Sequence, residues 1–448
     1  MNRLKRVLES IKGVDDFQVS NKQTKKTNMI FSDNDQKCSI QTSDKLTTIT
    51  VYNRKDSEET TIGSSSGELS MLTEEAVSKL AETLVENART QNNKNYLLVS
   101  PGYSYPRIEL VDRRILDAST YQVNQLGREL YERMREESRL QGVVLTNVEV
   151  NLSSGNTNLM NSRDLDLSQQ RTGIYIELTA LAIDGKTREE FTTITHARKL
   201  EDINPEALVQ ECAKYALESL RKVNTPNHEG TVVITGPAVK DFFTPSEASI
   251  SPIGHPLLQN AHSAMKYSGN SSLSIGDLIS RETPLGDRLT IASDASIPFG
   301  VSSTNFGDDG LPGQRVVFVE DGIFTRFLAN NQYYQYMDIK PTGPVGNIVV
   351  APGNTSYEDL LSGDKSPKVI VYAFSWFNPD KTSGDFSSEI RFGYYFDGNN
   401  TYPIKGGLVS GNWFTSLKDI RLANETTTRG NYIGPLGIRL ENMRVSGI

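Results

Sequence analysis

Imidazoles and thiols are the usual carriers of metal-assisted hydrolysis and nucleophilic attack. This chain of 448 residues has few of either: His196, His228, His255 and His262, with Cys38 and Cys212. Two isolated thiols make neither a CxxC zinc site nor a disulfide framework, so both are expected to be reduced and structural. One grouping, Glu247 with His255 and His262, could ligate a cation if a loop brought it together. On a helix, seven residues span about two turns, which leaves the two imidazoles roughly 10 Å apart, too far for one ion. Pro256 also argues against a helix there. His196 falls in an alternating strand and His228 in a linker, where structural or exposed roles are expected.

Other motifs are weaker still. Gly63-Ser-Ser65-Ser-Gly67 has the letters of a Gly-x-Ser-x-Gly elbow. No apolar strand runs into it, and its low complexity reads as a flexible connection. Asp308-Asp309-Gly310 lacks the alternating oxygens of a calcium loop and reads as a turn. Lys405-Gly406-Gly407 reads as a bulge or tight turn, and there is no phosphate-binding glycine loop.

The elements that must position these residues are legible from patterning. Leu4, Val7, Leu8 and Ile11 mark a short helix, and Thr47 to Tyr52 a strand. Thr73 caps a helix with an apolar stripe from Val77 to Ala88. A second helix begins near Ser119, and Asn204-Pro205 opens a third carrying Leu208, Cys212, Tyr215, Ala216 and Leu220. From Val143 to Arg198 apolar residues alternate with polar ones, with a hairpin at Asp184-Gly185. Asn224 to Gly230 reads as a linker. Strand signals then dominate to Val445, including a hairpin at Asp321-Gly322. The expected fold is an α+β N-terminal domain over 1–223, an antiparallel sheet covered by helices. After the linker at 224–230, a mostly antiparallel β C-terminal domain follows over 231–448.

Composition narrows the partners. Net charge is −8, which disfavours neutralising phosphates, so no nucleic-acid partner is expected. Nowhere do about 18 apolar residues run together, and no apolar core follows the basic start, so a cytoplasmic protein without a membrane partner is expected.

The C-terminal blocks carry a resemblance. They are Val317-Phe-Val-Glu-Asp-Gly-Ile-Phe-Thr-Arg-Phe-Leu328, Ser383-Gly-Asp-Phe-Ser387, Phe392-Gly-Tyr-Tyr-Phe-Asp-Gly398 and Tyr402-Pro-Ile-Lys-Gly-Gly-Leu-Val-Ser-Gly-Asn412. With Thr427-Thr-Arg-Gly-Asn431 and Leu440-Glu-Asn-Met-Arg-Val-Ser-Gly447, their order resembles the TldD/PmbA family, the tail being similar to its PmbA (TldE) branch. The resemblance implies a two-subunit peptidase system. In TldD-type subunits zinc is held by a His-Glu-x-x-x-His helix, which follows a strand ending in Gly-Pro, and by a later cysteine. Here Val232-Val-Ile-Thr-Gly236-Pro237 leads into Ala238-Val-Lys-Asp-Phe-Phe243 without histidine, Pro245 would break a helix, and Asn431-Tyr-Ile-Gly-Pro435 stands where the cysteine is expected.

The resemblance therefore implies no catalytic and no metal residue on this chain, with zinc on a TldD-type partner in a heterodimer or higher assembly. Extended peptides would be the substrates. Candidates to line a peptide channel are Ser383, Gly384, Asp385, Thr428, Arg429 and Asn431. Arg429 suits a peptide carboxylate, though an ion-pair role is equally open. Tyr394, Tyr395, Trp376 and Trp413 read as core or interface aromatics. Two alternatives stay open: a stand-alone peptidase with a site near His255 and His262, and a peptide-binding regulatory protein, with a homodimer possible for the isolated chain.

Overall fold

Alternating sequence in the first half becomes unusually long strands. A computed structural model describes residues 2–32, 35–55, 60–244, 255–280 and 286–448. Its first half contains β1 (Asp16–Ser32), β2 (Asp35–Lys55), β3 (Thr61–Leu69), β4 (Asn93–Lys94), β5 (Val144–Asn161), β6 (Asp166–Asp184) and β7 (Thr187–Ala197). They make one antiparallel sheet in the order β4-β3-β2-β1-β5-β6-β7, which leaves β7 as an edge.

One face of this sheet is covered by the helices Glu74–Arg89, Thr120–Leu140 and Pro205–Ser219. Their starts are capped as the sequence suggests. Thr73 accepts from the Ala76 amide, Ser119 and Gln122 form a reciprocal capping box, and Asn204 accepts from Ala207 ahead of Pro205. Val19, Ile49 and Val51 pack beneath the first helix, and Phe31, Val150, Ile176 and Leu178 beneath the other two. Because side chains alternate across a strand, the helix-free face carries Lys22, Thr157 and Gln169 in one cross-strand row, and Tyr175 beside His196 further along.

Gly63 to Gly67 is not a flexible connection. It is part of β3, with Ser64 opposite Tyr52 and Ser66 opposite Thr50. A Cβ on Gly63 would lie 1.8 Å from the Ala88 carbonyl oxygen, so glycine is what lets the helix Glu74–Arg89 dock on the strand. Ser65 faces Val51 across the ladder and sits on no strand-to-helix elbow.

The second half contains β8 (His228–Thr235), β9 (Ile291–Asp294), β10 (Arg315–Glu320), β11 (Ile323–Phe324), β12 (Asn347–Val350), β13 (Lys368–Phe374), β14 (Asp385–Phe396), β15 (Thr401–Ile404), β16 (Leu408–Asn412), β17 (Arg421–Leu422), β18 (Thr426–Arg429), β19 (Tyr432–Pro435) and β20 (Gly437–Ser446). Pairings β13–β8, β8–β20, β20–β16, β16–β14 and β14–β13 close five of these strands into a ring. The remaining sheet is open, in the order β11-β10-β9-β12-β19-β18, so β18 is a second edge. Two pairings, β12–β19 and β13–β8, are parallel. Between the sheets lies an apolar core that includes Phe242, Phe318, Ile390, Trp413 and Tyr432.

Residues 224–230 are held closely. Thr225 donates to the Gly406 carbonyl at 2.9 Å, Asn227 accepts from the Gly447 amide at 2.9 Å, and His228 to Gly230 pair with β20 as the start of β8. Pro256 opens the helix Pro256–Ala261 rather than preventing one, since its first position needs no amide donor. Pro245 and Glu247 lie outside the described residues. No helix among the described residues is long and apolar enough to cross a membrane.

Candidate functional site

The helix-free face of the first sheet meets the second half across a cleft of about 860 Å³. From the first sheet, Glu177 and the consecutive residues Thr192 to His196 line it. Consecutive residues of a strand point to alternate faces, so the cleft meets the open edge of β7 as well as one face. On the facing side Thr427, Thr428, Arg429 and Gly430 also follow one another along the edge strand β18 and its turn. Two unpaired sheet edges therefore border one cavity. Trp376, 51% exposed, stands in it beyond the end of β13.

Beside the cleft, the helix Pro237–Phe243 contributes Pro237, Lys240 and Asp241 to its wall. Its start is fixed by Gly236, which has φ +59° and lies so close to the Tyr372 ring that a Cβ would come within 2.3 Å of Cε2. Tyr372 in turn donates to Glu211 on the helix Pro205–Ser219. Arg429 donates to the same Glu211 oxygen at 3.1 Å and to Tyr372 Oη at 3.4 Å. Burial works to lower the Arg429 pKa, but the Glu211 carboxylate and Tyr372 more than offset it, and the net direction is up. Burial is also the main reason the Tyr372 hydroxyl is held far above the ordinary phenol range.

The six channel candidates fall in three places. Thr428 and Arg429 line the cleft. Asn431 lines a second cleft of about 510 Å³, which shares His196 and Gly430 with the first. Ser383, Gly384 and Asp385 form a turn at the start of β14 and line neither cleft. There Asn412 donates to the Ser383 carbonyl at 2.7 Å and to Asp385 Oδ1 at 2.8 Å, and Gly384 rests on the Phe414 ring. The aromatics also divide. Trp413 is fully buried and donates to the Phe242 carbonyl at 2.7 Å, whereas Trp376 is a cleft residue that sequence patterning placed in a core or interface.

The histidines do not assemble. His255 and His262 cap opposite ends of the helix Pro256–Ala261. His255 is fully enclosed, edge-on to Trp413, with Nε2 bonded to the Phe242 carbonyl at 2.9 Å. Burial pushes its pKa down to about 4. His262 Nδ1 accepts from the Ala264 amide at 3.2 Å. His228 bonds the Thr231 carbonyl, and the Cys212 thiol is buried against the Phe191 carbonyl and pushed up to about 12 by burial. Among the described residues no group of three or more His, Cys, Asp or Glu side chains comes together to hold a metal ion. Lys240 offers an ammonium, which has no lone pair to give, and Asp241 alone is not a zinc ligand set. The residues at this helix therefore do not fit a zinc ion.

Models of two domains of one family match this chain: the PmbA/TldA metallopeptidase central domain over residues 113–220 and the C-terminal domain over 250–447. The chain belongs to the TldD/PmbA family. It is 25% identical over 297 residues to the uncharacterized protein MJ0231 of Methanocaldococcus jannaschii, covering 63% of this chain and 65% of that one. With the metalloprotease PmbA of Escherichia coli O157:H7 it shares 26% identity over 171 residues, covering 36% and 37%. The matched stretches thus span less than two thirds of these relatives. In fold the likeness runs end to end: the crystal structure of TldE from Thermococcus kodakarensis aligns with a TM-score of 0.80 at 18% identity, covering 100% of both chains.

Proposed function

We propose that this chain is the non-catalytic subunit of a two-subunit cytoplasmic metalloprotease that trims peptides. It holds an extended peptide in the cleft while a TldD-type partner supplies the zinc centre. The observation that carries this reading is the cleft bordered by two open sheet edges, β7 and β18, beside a helix that bears Lys240 and Asp241 rather than two imidazoles. An open edge offers main-chain donors and acceptors at every second residue, so it can pair with an extended peptide of almost any sequence. Thr192, Thr427 and Thr428 add hydroxyls that bond without selecting a side chain.

Metal-assisted hydrolysis needs a cation-bound water held by lone-pair donors, which on this reading belongs to the partner. The chain's own contribution is binding, orientation and exclusion of water. Purified chain, purified TldD-type partner and their mixture should be incubated with unstructured peptides and the products read by mass spectrometry. Cleavage by the mixture and by neither alone is expected. Cleavage by the partner at full rate without this chain would overturn the proposal, and cleavage by this chain alone would point to a stand-alone peptidase.

A further inference from the structure

The second cleft, of about 510 Å³, differs from the first in charge. Lys22, Arg171, Arg198 and His196 line it, with Asp308 the sole carboxylate among its described lining residues. In a chain with a net charge of −8, such a concentration of cations is not the average surface. Lys22 pairs with Asp308 at 2.9 Å. Arg198 is 6% exposed and donates only to carbonyl oxygens, those of Thr172, Gly300, Val301 and Ser303. Those bonds fix its plane but do not neutralise its charge, and no carboxylate among the described residues pairs with it. Burial, with Arg171 nearby, pushes its pKa down to about 10, so it stays cationic at neutral pH. Arg171 is exposed and makes no hydrogen bond or ion pair with the described residues. The cleft thus holds two uncompensated guanidiniums, one buried and one free to move.

Because this cleft shares His196 and Gly430 with the edge-bordered one, the two form a continuous groove with a cationic end. We propose that this end binds the free α-carboxylate of a peptide lying along the groove, so that the chain recognises peptide C-termini. Arg171 closes on the carboxylate, Arg198 supplies fixed positive charge behind it, and Asn431 lines the same cleft. A charged hydrogen bond in a half-enclosed site is worth enough for about a tenfold difference in affinity. This inference rests on the peptide-groove reading, and the test separates the two.

An N-terminally labelled short peptide of alanine, serine and valine should be titrated with the full chain by fluorescence anisotropy, once with a free C-terminal carboxylate and once as the C-terminal amide. The acid is expected to bind about tenfold more tightly. In Arg171→Ala, an exposed position whose change should not disturb folding, that preference should shrink to less than about threefold while amide binding is unchanged. Equal affinity for acid and amide in the unaltered chain would overturn the carboxylate site and leave the groove standing. Undetectable binding of both would overturn the groove and the site together.

Discussion

Arg429 on β18 and Glu211 on the helix Pro205–Ser219 are bonded at 3.1 Å across the boundary between the two halves of the chain, at the wall of the larger cleft. Each side chain is roughly a quarter exposed, so neither charge can fall back fully on water when its partner is removed. A double-mutant cycle with Arg429→Met and Glu211→Gln should give a coupling energy of about 1–3 kcal/mol from denaturant unfolding. The double variant should lose less stability than the two single losses added together. A coupling near zero would mean that the contact forms without holding the halves together.

His255 gives the chain an acid-sensitive core. Its ordinary pKa of 6.5 falls to about 4 because burial penalises the imidazolium, an effect partly countered by the Phe242 carbonyl. The folded state therefore binds fewer protons than the unfolded state between these values. The resulting stability is fully present above pH 6.5 and is lost as pH falls toward 4, to a total of roughly 3 kcal/mol. Carboxylates such as Asp364, held down to about 2, lose their contribution only below that window's lower end. Denaturant midpoints measured from pH 7 to pH 4 should fall, and His255→Gln should fall less steeply from a lower start. An identical slope in the variant would assign the acid sensitivity elsewhere.

Gly63 should not tolerate a side chain. Alanine there places a methyl group on the Ala88 carbonyl, and either β3 or the helix Glu74–Arg89 must move. Gly63→Ala should cost about 2 kcal/mol or more, whereas Gly185→Ala, where nothing lies within 4 Å and only the left-handed φ of +57° is strained, should cost about 1 kcal/mol. Comparable losses at the two sites would show that the close approach is relaxed in solution.

Trp376 offers a direct optical reading of the cleft. It is half-exposed there, while Trp413, the chain's other tryptophan, is fully buried. Iodide should quench one of two emitting populations, and saturating peptide should protect it. Trp376→Phe should leave only the protected emission. Peptide that binds without changing the quenching would place the binding surface away from this cleft.

The parts of this architecture set by local chemistry were legible in the sequence. Thr73, Ser119 and Asn204 each announce a helix because a cap acts within one turn. The Asp321-Gly322 hairpin follows from dipeptide chemistry, while the first hairpin turns one residue later than its Asp-Gly pair suggested, on Gly185-Lys186 with Asp184 paired to Thr187. The family was legible from the ordered blocks after Val317. Long-range relations were not. Nothing local shows that β7 and β18 are edges, because an edge is defined by the strand that fails to pair. Lys22 and Arg171 come from separate strands and Arg198 from the bend just after β7, and they meet only through the pairing of those strands, so no spacing marked them. The parity that puts Lys22, Arg171 and His196 on one face could be read only once the pairing was known. Gly63 to Gly67 misled because a serine-rich strand beside a helix looks like a linker when the helix contact is unseen.

In the proposed complex this chain brings a peptide to a metal centre it does not itself carry. Zinc and iron in the purified full-length chain, expressed without a TldD-type partner, can be measured by elemental analysis. A ratio well below one metal per chain is expected, and adding the partner should bring the complex to one metal per pair. A ratio near one for the chain alone would contradict the account and turn attention to Glu247, His255 and His262.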